Sequence, residues 1–386
     1  VDPIYLDYNA TTPLHPQVAE AMRPFLAGYF ANPASPHAPG RAVRAAIEEA
    51  RARVAAAIGA HEDEIVFTSG GTESNNLAIR GGALANRERG SLLVTSAVEH
   101  PAVADVCDSL RGEGFHTVRV PVDRTGLVDP EEVRRAAAGG AVLITVMHAN
   151  NEVGTVEPVR EIAEVAHSAG ALVHTDAAQS IGKVPARVDD LGVDLLSIAG
   201  HKVYGPKGIG ALYVRRGVRV APVLFGSARE GGRRPGTENV LGIVGLGKAM
   251  ELVAREFADR VAHARLLRER LHAGLAARVP GLLRHGHPER ALPNTLSVSF
   301  PGVTGPALLA EATGLAASAG AACHSGTVHV SATLAAMGVL PERAMGTVRF
   351  STGMLLTEEQ VDRSIELLVS TFARLSLPSG GEKRHN

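Results

Sequence analysis

Tryptophan is absent from the 386 residues, aromatic residues amount to 4%, and there are two cysteines. So few flat apolar rings leave no base-stacking surface for single-stranded nucleic acid. Basic and acidic residues number 39 and 40, a formal net charge of −1, so composition supplies no basic face. Direct nucleic-acid binding and membrane association are therefore not expected. No apolar run reaches membrane-spanning length, and the start of the chain lacks the basic-then-apolar form of a secretory leader. Cys107 and Cys323 make neither a disulfide framework nor a metal-type spacing, so no metal is expected and a reducing cytoplasm is the expected compartment. What is present, 45% hydrophobic residues, suits a folded chain too long for one simple core.

Apolar strand-like runs lie at 64–68, 92–96, 116–120, 142–147, 172–175, 193–198 and 209–214, with helical patterns between most of them. Such alternation predicts an α/β fold with a mostly parallel sheet. Helical spacing occupies 17–26, a Pro-rich polar loop follows at 32–40, and an Ala-rich amphipathic helix spans 41–58, ended by Gly59. After about residue 240 the pattern changes to a long helical stretch reaching 279. Strand-like pieces at 295–300 and 347–351 and helices at 306–313 and 357–375 follow, a smaller α+β lobe.

In parallel sheets ligands sit beyond the carboxyl ends of strands, and five successive strand ends carry polar clusters. Residues 69–75 (Ser-Gly-Gly-Thr-Glu-Ser-Asn) are either an anion loop at a helix start or a plain N-cap. His100, before Pro101, either stacks on a flat ligand or caps a helix. Asn150 and Asn151 are turn formers or amide donors. Asp176, ending an apolar strand, needs a partner, and Gln179 points to the same side. Lys202, in Gly-His-Lys-Val-Tyr-Gly-Pro-Lys-Gly, is a surface lysine or an amine able to form a Schiff base with an aldehyde. Together they supply an anion loop, a flat ring, an amide donor, a buried acid and a lysine. That set matches pyridoxal 5'-phosphate, whose protonated ring acts as an electron sink.

The sequence resembles the cysteine desulfurases of the class V aminotransferase group, within the fold-type I pyridoxal phosphate enzymes. The likeness runs from Tyr-Leu-Asp-Tyr-Asn-Ala-Thr-Thr-Pro (5–13) to Arg-Phe-Ser-Thr-Gly (349–353). It implies a large domain at 10–255, and a small one made of 1–9 and 256–386 that carries a mobile loop at about 314–332. It also implies that Lys202 is the Schiff-base lysine, that His100 stacks on the ring and that Asp176 meets its nitrogen. Gln179 would lie by the phenolic oxygen, and Gly71, Thr72 and His201 at the phosphate. Asn32, Asn151 and Arg349 would hold the substrate. Thr237 would reach the phosphate site of a partner subunit in a homodimer.

Cys323 stands among Gly, Ala and Ser with His324 beside it. Such surroundings favour a reactive thiolate over a packed core thiol, whereas Cys107 sits at helical spacing and reads as core. The resemblance places Cys323 at the sulfur-accepting position. It implies that L-cysteine is converted to L-alanine, with a persulfide left on Cys323 for an acceptor protein. Acceptors in the group serve iron–sulfur cluster assembly, tRNA thiolation or DNA phosphorothioation. A selenocysteine lyase, another class V enzyme or a non-catalytic sulfur carrier are the alternatives. Three departures stand out. Ala199 replaces a Ser that donates to the phosphate, residues 226–234 differ from the group's inter-subunit segment, and Val330 replaces a frequent Pro. The scaffold-docking extension of some relatives is not recognisable in 377–386.

Overall fold

The computed structural model describes residues 3–324 and 327–376, and for 321–324 and 327–329 the backbone alone. The expected strands form one sheet in the order Ile65–Thr68, Gly210–Val214, Leu195–Ala199, Leu172–Asp176, Ala141–Thr145, Leu92–Ser96 and His116–Val120. Pairing is parallel from Leu195–Ala199 through to His116–Val120. Gly210–Val214 runs antiparallel to both its neighbours. The central strands are buried along their whole length, which is why they read as unbroken apolar runs. The edge strand His116–Val120 is mostly exposed.

Apolar residues from both sheet faces pack under helices. One face sets Ile144, Ile198 and Tyr213 against Ile47 and Val54. The other sets Leu143, Leu195 and Leu212 against Leu77, Val103 and Cys107. A separate cluster, including Leu6, Leu271, Leu296, Phe350 and Leu368, fills a second unit. There an antiparallel sheet in the order Ser318–Ala319, Thr347–Ser351, Thr295–Ser299 and Leu283–His285 is backed by helices Phe257–Ala276 and Glu358–Ser376.

Several expected elements differ in detail. The helix over 17–26 is two pieces, Pro16–Met22 and Pro24–Ala27, because Pro24 brings no N–H to the turn. The long helix to 279 breaks at Glu256, whose φ of −108° and ψ of 13° leave the helical region, into Val240–Arg255 and Phe257–Ala276. Ala38–Ile58 starts inside the expected Pro-rich loop, where His37 Nδ1 accepts from Gly40 N at 3.2 Å and a proline occupies the first turn. It ends at Gly59 in the left-handed conformation, φ 71°. The stretch expected as a loop at 314–332 holds short strands: Leu315–Ala316, Ser318–Ala319, and the hairpin Ala321–His324 with Thr327–Val330. The alternating β-branched residues of 327–330 favour that pairing.

Ile65–Thr68 and the four parallel strands from Leu195–Ala199 to Leu92–Ser96 end on one side, and their polar loops meet there. Gly210 keeps that edge closed: a Cβ on it would lie 2.5 Å from the Ile198 carbonyl oxygen and 2.7 Å from the Gly70 carbonyl carbon. Both obstacles are backbone. Gly210→Ala is expected to lower the unfolding free energy by about 1–3 kcal/mol, read from urea melts; an unchanged midpoint would show that the strands can part there at no cost.

Candidate active site

The strand-end loops enclose a cavity of about 390 Å³ lined by Gly71, Thr72, His100, Asn151, Asp176, Gln179, His201, Lys202 and Arg349 among others. Asn32 and Thr237 do not line it. Asn32 is exposed with its Oδ1 accepting from Ala34 N at 2.9 Å, and Thr237 is exposed on its own loop. The Cys323 side chain lies outside the described residues; its backbone is in the hairpin, opposite Val328.

At one end of the cavity Gly71 and Thr72 open the helix Gly71–Asn76, so unpaired backbone N–H groups face in. Ala199 puts a methyl in the adjoining wall, where a Cβ on Gly71 would come within 3.2 Å of it. Glu73 braces this loop: it accepts from Ser69 N at 2.7 Å and from Arg234 Nε at 3.0 Å. The divergent segment 226–234 is thereby fastened to the loop. Glu230 fastens it again, accepting two bonds of 2.8 Å from Arg51 and one of 2.9 Å from Phe67 N.

Asp176 ends the strand Leu172–Asp176 and also lines the cavity. Its carboxylate accepts from Asn75 Nδ2 at 2.7 Å and from Ala178 N at 2.9 Å. These two bonds give the side chain its partners at a site that is 8% exposed. His100 lines the same cavity. Its Nδ1 caps helix Pro101–Ser109 by accepting from Ala102 N at 3.0 Å, so the neutral ring carries its proton on Nε2. His100 thus caps the helix and also lines the cavity.

Lys202 sits on the turn Gly200–Lys202 directly after Leu195–Ala199, and its Nζ donates to the carbonyls of Asn9 and Ala10, the latter at 2.9 Å. Burial, with the Arg349 charge second, lowers its amine to about 8. His201 is pushed down to about 4, mainly by burial and then by Lys202 and Lys207; its Nδ1 meets Thr11 Oγ1 at 3.1 Å. Tyr204, two residues beyond Lys202, holds a left-handed φ of 64°, a strained position pinned by Met354 N donating to its hydroxyl at 2.9 Å.

Arg349 enters from the second unit. Its guanidinium donates to Asp7 Oδ1 at 2.7 Å, Ser318 Oγ at 2.8 Å and the Asn151 carbonyl at 3.1 Å. Gln179 has both ends of its amide committed: Nε2 donates to the Asn9 carbonyl at 2.9 Å, and Oε1 accepts from Lys183 Nζ at 2.7 Å.

Sequence reasoning missed Asn9, Asn75, Glu99 and Lys183. Burial raises Glu99 to about 8, and it joins Ser96 Oγ at 2.6 Å to Met147 N at 2.9 Å beneath His100. Asn75 is one turn along a helix already singled out, and Lys183 is four residues after Gln179; these spacings were the available signals. Asn9 gave none, because its role depends on a segment 193 residues away in sequence from Lys202.

The donor set fits pyridoxal phosphate: N–H groups for an anion, an acid for a ring nitrogen, a flat ring and a partly neutral amine line one cavity. Covalent capture of an aldehyde needs the neutral amine. Cofactor uptake by the stripped protein is therefore expected to accelerate as pH rises through about 8, followed by visible absorption; a profile still climbing as for an ordinary lysine near 10.5 would contradict the lowered value.

The chain matches the family described as aminotransferase class-V over residues 4–363. It is 45% identical over 374 residues to the cysteine desulfurase IscS of Dictyoglomus turgidum, covering 96% of this chain and 95% of that protein. Among solved structures it is similar to a NifS-like protein at TM-score 0.91 and 36% identity, covering 96% of this chain and 100% of that one. It is also similar to SspA in complex with cysteine at TM-score 0.80 and 36% identity, covering 91% and 99% respectively. Geometry and likeness agree: the chain belongs to the class-V aminotransferase family and, within it, to the cysteine desulfurases, pyridoxal phosphate-dependent enzymes that take sulfur from L-cysteine.

Proposed function

We propose that Lys202, His100, Asp176, Arg349 and Cys323 carry this desulfuration in the roles the cavity suggests. The observation that carries the reading is the convergence of Lys202, Asp176, His100 and Thr72 on one cavity. Bound there through Lys202, pyridoxal phosphate supplies an electron sink for the charge released at the substrate Cα. Gly71, Thr72 and His201 hold its phosphate, and Asp176 and Gln179 orient its ring.

Arg349 and Asn151 hold the L-cysteine carboxylate. The Lys202 amine, released when the substrate amine takes its place, takes the proton from Cα, a task suited to a base near neutrality, and returns it to Cα before the product leaves. His100 donates from Nε2, since its Nδ1 is committed to the helix. The Cys323 thiolate attacks the substrate sulfur. The Cβ–S bond breaks with its electrons staying on carbon, an S–S bond forms, Cβ takes up a proton for which His100 Nε2–H is the available donor, and L-alanine leaves while the persulfide stays on Cys323. An acceptor protein then takes that sulfur, for cluster assembly, tRNA thiolation or DNA phosphorothioation.

A homodimer belongs to the same reading. Asn32 and Thr237, which miss their own cavity, sit on loops that also expose Phe30 (87%) and Phe225 (89%). Apolar side chains of that size left in water favour a partner surface, and across it both residues can serve the other subunit's site. The lobes divide at 10–255 against 1–9 with 256–386, supported by the two separate apolar clusters. No helix of the described residues is long and apolar enough to cross a membrane. A cytoplasmic location is our reading of the cysteine usage.

Cys323→Ala is expected to abolish alanine release from L-cysteine while leaving the visible absorption of the bound cofactor intact, and full sulfide release by that variant would refute the assignment. Lys202→Ala is expected to lose that absorption; an unchanged spectrum would remove Lys202 from its role. Mass spectrometry of the Cys323 peptide after cysteine addition, with and without acceptor proteins, reads the persulfide directly.

A further inference from the structure

A guanidinium has five N–H donors, and most of those on Arg349 are in use. Both hydrogens of Nη2 are taken, by Asp7 Oδ1 at 2.7 Å and Ser318 Oγ at 2.8 Å. Nη1 donates to the Asn151 carbonyl at 3.1 Å. Nε is buried with no partner among the described residues. A carboxylate gripped at two points uses either Nε with Nη2 or Nη1 with Nη2. Either grip takes a hydrogen from Nη2, so a bound substrate must displace Asp7 or Ser318.

The two are not equal. Asp7 is a carboxylate, 18% exposed at its side chain, and removing the guanidinium would leave a largely buried charge without its counter-ion. Ser318 is neutral. It gives up one accepted bond and keeps its own donation to Asp7 Oδ1 at 2.9 Å. The hydroxyl is the partner that exchanges.

Its place in the chain gives the exchange a consequence. Ser318 lies directly opposite Arg349 in the antiparallel pair, and Ala319 opposite Val348. The hairpin strand Ala321–His324, which contains Cys323, begins just beyond. The return end of the hairpin is tied both to the first stem and to Glu152. Ser331 N donates to the Gly320 carbonyl at 3.2 Å, the Ser331 hydroxyl donates to Glu152, and Thr333 Oγ1 reaches Glu152 Oε1 at 3.2 Å. The second stem is therefore held by an acid next to Asn151; the first is held by its backbone pairing with Thr347–Ser351, Gly320 N donating to the Thr347 carbonyl at 2.8 Å, and in addition by the Ser318 side-chain contact that the substrate competes for.

Resting on the reading of Arg349 as the carboxylate site, we propose that Ser318 is a positioning residue coupling substrate occupancy of Arg349 to the strand that feeds the Cys323 hairpin. Its hydroxyl competes with the substrate carboxylate for Nη2, and its release removes the side-chain hold on the first stem, while the backbone pairing there and Glu152 at the second stem stay in place.

The test uses the holoenzyme with L-alanine, which has the substrate's carboxylate and no sulfur. Binding is read from the change in cofactor absorption, and Cys323 reactivity from the rate of iodoacetamide labelling measured on its peptide, with and without alanine. Ser318→Ala removes the competitor, so alanine is expected to bind about fivefold tighter, the worth of one neutral hydrogen bond. Alanine should change the Cys323 labelling rate in the unaltered protein and leave it unchanged in Ser318→Ala. Ser318→Thr keeps the hydroxyl and should behave as the unaltered protein, which separates the hydroxyl from any change in folding. Weaker or equal alanine binding in Ser318→Ala, no alanine dependence of labelling in the unaltered protein, or the same shifts in Ser318→Thr would each overturn the proposal. Arg349→Ala is the separate control: alanine binding unchanged in that variant would sink the carboxylate reading itself, whatever Ser318 does.

Discussion

The carbonyl oxygen of Asn9 accepts from both Lys202 Nζ and Gln179 Nε2, and the rest of the site is arranged around that shared acceptor. The residue is fully buried. Its side chain donates to Thr295 Oγ1 at 2.8 Å and to the Asn151 carbonyl at 3.1 Å, and accepts from Asn294 at 3.0 Å and Lys183 at 3.2 Å. Its own N–H donates to Ser351 Oγ at 2.8 Å. One residue thus joins the strand ends of the seven-stranded sheet to the strands that carry Arg349. A polar group so deep is tolerable only because almost every donor and acceptor it has is used.

Around this hub, positive charge is concentrated and incompletely balanced. Lys183 has no carboxylate partner among its hydrogen bonds, and burial, then Lys202 and Arg349, lower its amine well below the ordinary lysine range. The same environment lowers Lys202. Asp7 neutralises Arg349, and Asp176 is held by an amide and a backbone N–H rather than by a cation. Desolvation and like charge therefore work together to leave the lysine amines available in neutral form, the state that nucleophilic and base chemistry needs.

The strands of the main sheet were legible because burial on both faces turns each into a short apolar run between polar loops. The residues after those runs were legible because a parallel sheet puts its loops on one side. Gly71, Thr72, His100, Asp176 and Lys202 come together for that reason. Helix boundaries were less visible where one residue decides: Pro24 splits a helix that apolar spacing joins, and Glu256 splits another where the chain passes from one core to the next. The hairpin around Cys323 read as a loop because Gly, Ala and Ser carry little strand signal, and its order is supplied by pairing across the turn.

The sequence by itself determined the α/β alternation, the positions of the polar strand ends and the chemical kinds of group they carry, because periodicity and residue type are local. Only the tertiary structure decided that Asn9 is the acceptor for Lys202, that Asp7 and Ser318 share one nitrogen of Arg349, and that Asn32 and Thr237 lie outside the lining of their own cavity. Those facts join segments hundreds of residues apart, and a contact between such segments leaves no periodicity to read; it exists only once the sheet has brought the ends together.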